Sequence, residues 1–342
     1  MSGPTPPPVS SDAAASPHRD AAASGGPAAP TGDGPPALLP DGVTDPAGLA
    51  DRLTAHGYLA DDGLATAAFL ALALRRPLLL EGDAGVGKTA IAHALADVLD
   101  APLIRLQCYE GLDASQALYD WDFPRQILHL RAAEAAGRGA DGDAAARAAQ
   151  LEGELYDRRF LLARPIVQAL ETSPSVLLID EVDRADDEFE ALLLEVLSEV
   201  SVTVPELGTI RAAQPPVVIL TSNRTREVHD ALKRRCYYHW VEHPGFDREV
   251  AIVRTRLPGV GERLAHEVTA AVHALRDQDL LKPPGVAETL DWTQALVALG
   301  ADHLEPDRAA ATLGSVLKFR EDLERIRAQD VTQIILRAVT GA

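Results

Sequence analysis

Residues 78–92 read LLLEGDAGVGKTAIA, an apolar run followed by three glycines, a lysine and a threonine. Gly82, Gly85, Gly87, Lys88 and Thr89 satisfy the spacing G-x-x-x-x-G-K-[ST]. The loop sits where phosphate chemistry needs it, directly after an apolar strand and opening a helix. Glycines let the backbone turn until successive N–H groups, including those of Asp83, Ala84 and Val86, point inward at one anion. The helix N-terminus adds a favourable field. Lys88 is then placed to reach the β- and γ-phosphates of ATP, and the Thr89 hydroxyl to hold Mg2+. The plain alternative is a glycine turn carrying an incidental lysine, and the strand-to-helix context weighs against it. The glycines are in the wrong order for the dinucleotide pattern G-x-G-x-x-G.

A second stretch bears on cleavage. SVLLIDEVDRA, 175–185, is a buried-strand run ending in Asp180 and Glu181. Open α/β sheets bind ligands at the carboxyl ends of their strands. There Asp180 can hold Mg2+ and Glu181 can orient or polarise an attacking water, because in-line phosphoryl transfer depends on positioning and charge compensation. An isolated Asp-Glu pair more often starts a loop or caps a helix; after a phosphate loop it is more specific. VVILTSN, 217–223, is another buried strand, ending in Asn223, which is placed to contact the water or γ-phosphate. Taken alone, Asn223 is also a common turn former.

Apolar runs alternate with helical periods from residue 45 to 241, which predicts α/β architecture: a parallel sheet flanked by helices. Beyond Pro244 four or five helical segments follow, so a smaller all-helical lid is expected over 246–342. The expected organisation is a Pro/Ala/Gly-rich disordered tail, 1–40, then a nucleotide-binding α/β domain, 41–245, then the lid. Inserts are expected near 109–160, helical, and near 199–214, where Val202, Val204 and Ile210 flank a Pro-Glu-Leu-Gly turn as a β-hairpin.

The phosphate loop, LLIDE, TSN and the following DALKRRCYYHWVEHP, 230–244, occur here in the order found in AAA+ ATPases. Over roughly residues 45–320 the chain resembles that P-loop NTPase family, and its wording is similar to the MoxR branch. The resemblance implies ATP hydrolysis and a homo-oligomer, usually a hexameric ring, in which arginines project into the neighbouring subunit's site. Arg234 and Arg235 match those positions, and an arginine supplied in trans is worth about 10³–10⁵ in rate. Outside this motif order, KRR reads as a solvated basic turn. MoxR-type proteins also carry a hairpin before the sensor strand, facing the pore. CYEGLDASQALYDWDFPRQILHLR, 108–131, resembles CoxD-like relatives, which assist maturation of a molybdenum-containing carbon monoxide dehydrogenase. Its aromatics, Tyr109, Tyr119, Trp121 and Phe123, stand out in a chain that is 4% aromatic, and they suit a partner surface and a buried face equally. The implied role is a chaperone that remodels a client metalloenzyme, with a VWA-domain partner common among such relatives. A nucleotide-gated switch that recruits a partner is the alternative, and a DNA-directed AAA+ protein a more distant one.

One departure stands out. The family often places a phosphate-sensing arginine at a helix start in the lid. In PPGVAETLDW, 283–292, Glu288 falls there, and Lys282 is the nearest base.

Composition narrows the classes. Fifty-one acidic against 32 basic residues give −19 at neutral pH, a field that disfavours nucleic acid. The charge-free run 64–74 is halted by Arg75 and Arg76, short of the roughly 20 residues a membrane crossing needs, so no membrane insertion is expected. Cys108 and Cys236 form neither a disulfide framework nor a paired metal spacing, in keeping with a cytoplasmic location. HWVEH, 239–243, fits a zinc-peptidase spacing, but its β-branched and aromatic surroundings predict a strand. On a strand residues four apart lie roughly 13 Å from each other, too far to share one ion.

Overall fold

The structure is a computed structural model that describes residues 38–137, 144–329, 333–335 and 337. The tail assigned to 1–40 lies, up to residue 37, outside the described residues. Leu38 and Leu39 are packed against the core, so the packed chain begins ahead of residue 41.

Two helices, α1 (Pro46–Ala55) and α2 (Asp62–Leu74), lead into β1 (Leu78–Gly82), the glycine loop and α3 (Lys88–Val98). Asp45 and Asp61 cap the first two helices through side-chain acceptance from Gly48 N and Leu64 N. After β2 (Leu103–Gln107) the chain makes α4 (Ala114–Ala117), β3 (Tyr119–Trp121), α5 (Phe123–Gly137), α6 (Ala144–Leu155) and β4 (Leu161–Ala163). The main fold resumes with α7 (Pro165–Glu171), β5 (Val176–Asp180), α8 (Asp187–Glu199), β6 (Ser201–Val204), β7 (Gly208–Arg211), β8 (Val217–Ser222), α9 (Asp230–Arg235) and β9 (Tyr237–Val241). Helices follow: α10 (Phe246–Arg256), α11 (Glu262–Arg276), α12 (Val286–Ala298), α13 (Pro306–Val316) and α14 (Arg320–Ala328).

The main sheet has five parallel strands in the order β2-β5-β8-β1-β9. Its inner strands are apolar almost throughout because both faces are covered. Alternate side chains divide between the faces. Leu79, Leu177, Ile179 and Leu220 join a core with α7 and α8, whereas Leu78, Leu80, Leu178 and Ile219 join one with α1, α2 and α3. Parallel pairing of β5 with β8 and of β8 with β1 brings the ends of these three strands together at one edge.

The insert forms a β3–β4 ribbon and the paired helices α5 and α6. Its aromatics divide: Tyr119 and Trp121 pack against the core, and Trp121 stacks edge-on with Tyr156 at 5.3 Å. Tyr109 and Phe123 are exposed. β6 and β7 make the hairpin read from the sequence, paired from Ser201↔Arg211 to Val204↔Gly208.

The helices beyond β9 enclose a core of their own around Trp292, Leu264, Val268, Leu296 and Leu313. Within it Glu249 is fully buried and accepts from Arg276 Nη1 (2.6 Å), Arg276 Nη2 (2.8 Å) and the Thr289 hydroxyl (2.6 Å), with the His273 ring at 2.9 Å. Burial alone would raise the carboxyl pKa, but Arg276, Thr289 and His273 outweigh it and hold the group below the ordinary value. A depressed carboxylate contributes stability above its ordinary pKa, lost as pH falls through the folded value. Arg276→Ala strands that charge, and urea denaturation at neutral pH is expected to show a loss of about 3–5 kcal/mol, shrinking toward acid pH as the carboxyl takes up a proton.

Candidate nucleotide site

The glycine loop leaves β1 and enters α3 with Gly87 as the helix N-cap at φ +97°, a conformation that only glycine adopts without strain. Gly85 has φ +82°, and a Cβ there would lie 2.7 Å from Glu288 Oε2, because the α12 turn closes down on the loop. Lys88 is buried and its Nζ donates to the loop carbonyls of Gly82 (2.8 Å) and Asp83 (2.6 Å). Burial holds its pKa below the ordinary lysine value, against the opposing pull of Asp83, Asp183, Asp180 and Glu181. The ammonium is thus held inside the loop by two of its carbonyls, at the start of α3.

The carboxylates arrive from the neighbouring strands. Asp180 ends β5, and its Oδ1 accepts from the Thr89 hydroxyl at 3.2 Å and the Thr221 hydroxyl at 2.5 Å. A hydroxyl and a carboxylate this close are hard oxygen donors of the kind Mg2+ prefers, so Thr89 and Asp180 fit that ion. Glu181 follows in a left-handed conformation, φ +56°, pinned where its N–H donates to Thr221 Oγ1 at 2.9 Å. Strained backbone of this kind is concentrated at functional sites. Its carboxylate is gripped on both oxygens: Asn223 Nδ2 donates to Oε1 at 3.3 Å, and Gln107 Nε2 (3.1 Å) and Arg184 Nε (2.8 Å) reach Oε2. Asp183, two residues on, fixes the sensor turn by accepting from Asn223 N at 3.2 Å and Thr225 N at 2.8 Å.

These groups line a cleft of about 430 Å3. Ala84 to Ala90, Arg105, Asp180, Glu181 and Asn223 line it, with the apolar Tyr58, Leu59, Leu64, Ile252 and Leu290 and the charged Asp61, Arg248 and Arg256. An apolar slot beside a phosphate cradle matches a base joined to a phosphate chain. Gly82, Asp83, Ala84, Gly85, Val86, Gly87, Lys88, Thr89, Asp180, Glu181 and Asn223 therefore fall at one strand edge. Arg234 and Arg235 do not; they end α9 and are absent from the cleft lining. Glu288 sits against the loop, its Oε2 accepting from Gly285 N at 2.9 Å to box the start of α12. Lys282 is engaged elsewhere, 5.9 Å above the Phe319 ring.

Sequence reading missed Arg105, Gln107, Thr221 and Arg184. The first two were visible as polar alternation in LIRLQ, an otherwise buried strand, but reaching Asp180 and Glu181 depends on β2 lying beside β5. His239 is on β9 and His243 beyond its end, and no group of three or more metal-binding side chains occurs among the described residues. Burial pushes both cysteine thiols up to about 12, which leaves them poor nucleophiles.

Residues 77–236 match the AAA domain of the dynein-related subfamily. The parallel sheet flanked by helices, with the glycine loop between β1 and α3, has the P-loop AAA+ fold, and the helices after β9 follow it. Forty-eight residues, 14% of the chain, are 46% identical to midasin of Giardia intestinalis, of whose length the match spans 1%. Among solved structures, the RuvB Holliday junction branch migration motor of Thermotoga maritima aligns over 82% of this chain and 71% of its own, at 16% identity and TM-score 0.41. A mutant RuvB from the same organism aligns over 87% and 75%, at 16% and 0.43. Among the described residues no helix is long and apolar enough to cross a membrane.

Proposed function

We propose that the chain binds ATP with Mg2+ at this cleft and hydrolyses it as one subunit of a ring that remodels a client protein. The observation that carries the proposal is the convergence of Lys88, Thr89, Asp180, Glu181 and Asn223 on one strand edge, with Thr89 and Asp180 3.2 Å apart and Asn223 3.3 Å from Glu181. In this reading Lys88 and the loop amides bind the terminal phosphates. Thr89 and Asp180 hold Mg2+, which supplies charge neutralisation on the phosphate oxygens. Glu181, aimed by Asn223 and Gln107, accepts the proton of the attacking water, while Asp183 keeps the sensor turn in register. Arg234 acts from the adjoining subunit, and hexameric closure places each such arginine at a neighbour's site.

The finer assignment, a MoxR-type chaperone near the CoxD-like branch acting in metal-cofactor insertion into a molybdenum hydroxylase, is supported by the motif wording and by the β6–β7 hairpin ahead of the sensor strand. Exposed Tyr109 and Phe123 on the insert supply apolar contact for a client or a VWA-domain partner. A cytoplasmic setting and a division into tail, nucleotide domain and lid belong to the same proposal.

The test is turnover by the purified full chain. Wild type is expected to hydrolyse ATP only with a divalent cation. Lys88→Ala removes a charge-assisted contact worth about 1.5–3 kcal/mol, so ATP affinity should fall about 10–100-fold by calorimetry. Equal binding and turnover by Lys88→Ala and wild type would overturn the reading.

A further inference from the structure

We propose that Arg105 is a built-in counter-cation for Asp180, which gives way to the divalent ion that arrives with the nucleotide. The inference rests on the nucleotide reading of the cleft and adds a positioning residue to it.

Arg105 lies on β2, the strand beside β5, and its Nε donates to Asp180 Oδ2 at 3.0 Å, with Nη2 reaching the same oxygen. The other oxygen is taken by the Thr89 and Thr221 hydroxyls, so every acceptor on Asp180 is engaged within the protein. The pair is unequal in burial: the Asp180 side chain is 5% exposed and that of Arg105 51%. Asp180 therefore cannot turn to water for solvation, whereas the guanidinium reaches in from the open cleft and can withdraw without disturbing the core. Asp180, Glu181 and Asp183 concentrate three carboxylates at the strand edge where phosphates must sit. A cation there lowers the repulsion that an incoming polyanion meets, and a carboxylate whose Oδ2 already neutralises a guanidinium attracts a divalent ion beside Oδ1 and Thr89 less strongly. Arg184 does not supply this charge, since its partner is Glu181.

The exchange has a thermodynamic signature separate from hydrolysis. With Arg105 in place, metal-free nucleotide still meets a neutralised Asp180. Arg105→Gln removes the charge, so metal-free binding weakens; it also removes the competitor, so the divalent ion binds more tightly. Both changes move the ratio of dissociation constants in EDTA and in Mg2+ the same way.

The experiment titrates a fluorescent ATP analogue into wild type and Arg105→Gln, each with Mg2+ and with EDTA, and follows Mn2+ binding to the ADP-bound proteins by electron paramagnetic resonance. Arg105→Gln is expected to raise the EDTA-to-Mg2+ ratio about tenfold and to tighten Mn2+ by a similar factor, with Arg105→Lys between. A ratio and a Mn2+ affinity both within about twofold of wild type would overturn the proposal on the same scale. Should Arg105→Gln fail to fold, Arg105→Lys carries the test alone, with a rise of about threefold expected and no rise overturning it. Wild type that does not bind the magnesium-loaded analogue would instead overturn the nucleotide reading itself, and this proposal with it.

Discussion

Arg234→Ala is expected to lower ATP turnover by about 10³-fold or more while ATP affinity stays near that of wild type, and Arg235→Ala to cost less than about tenfold. The two neighbours differ in what already holds them. Arg235 Nε donates to Ser198 Oγ on α8 at 2.8 Å, and its Nη1 reaches back to Ala231 O at 3.4 Å. Arg234 is exposed, and no side-chain partner is described for it. Its backbone is nevertheless fixed. Arg76 donates to the carbonyls of Arg234 and Arg235, which close the C-terminal end of α9, where a cation is favoured. Lys233, one residue earlier, faces the buried Glu81 at 3.9 Å, and Glu81 is the penultimate residue of β1, just before the glycine loop. The helix that carries Arg234 is therefore tied to β1, while Arg234 itself is exposed and lies outside the cleft lining. An arginine offered to a neighbour needs just that combination, since a fixed base and an uncommitted tip lose little on reaching a transition state.

The arrangement in trans has its own test. Lys88→Ala and Arg234→Ala proteins are each expected to be inactive, yet mixing them should restore part of the turnover, because an Arg234→Ala subunit keeps its own phosphate loop and borrows an intact arginine from a Lys88→Ala neighbour. Mixtures as inactive as their components, or a larger loss with Arg235→Ala than with Arg234→Ala, would overturn the assignment.

What separates the two arginines also shows where sequence reading stops. The loop, the Asp180–Glu181 pair and Asn223 were legible because each ends an apolar run that only a doubly covered strand explains. Their meeting follows from adjacency: β5 beside β8, and β8 beside β1. The partners that tune them were hidden because they depend on that adjacency. Gln107 touches Glu181 and Arg105 touches Asp180 only because β2 takes the place beside β5, with Gln107 opposite Asp180 in register. Ser198 meets Arg235 across 37 residues of chain. Glu288 was legible as a departure, and the fold adds its consequence: a carboxylate boxes the α12 start against Gly85, and α12 meets the glycine loop through Ala287 N donating to Gly85 O at 3.1 Å.

Glu181→Gln is the remaining large effect, and it decides between a motor and a switch. The substitution keeps shape while removing the charge that accepts a proton, so turnover should fall about 10²–10⁴-fold. Binding should persist, since Lys88, Thr89 and Asp180 are untouched. The three donors now converging on the carboxylate, from Asn223, Gln107 and Arg184, will find one acceptor replaced by a donor. The side chain is 30% exposed, so water can take up the displaced donor and the fold should survive. With hydrolysis stopped and ATP held, a remodelling ring should bind its client and leave it unchanged. A recruitment switch should deliver its full effect in the same locked state, because only its resetting needs hydrolysis. The measurement is client conversion by Glu181→Gln under saturating ATP. Full conversion would replace the motor with the switch, and hydrolysis at the wild-type rate would remove Glu181 from the chemistry altogether.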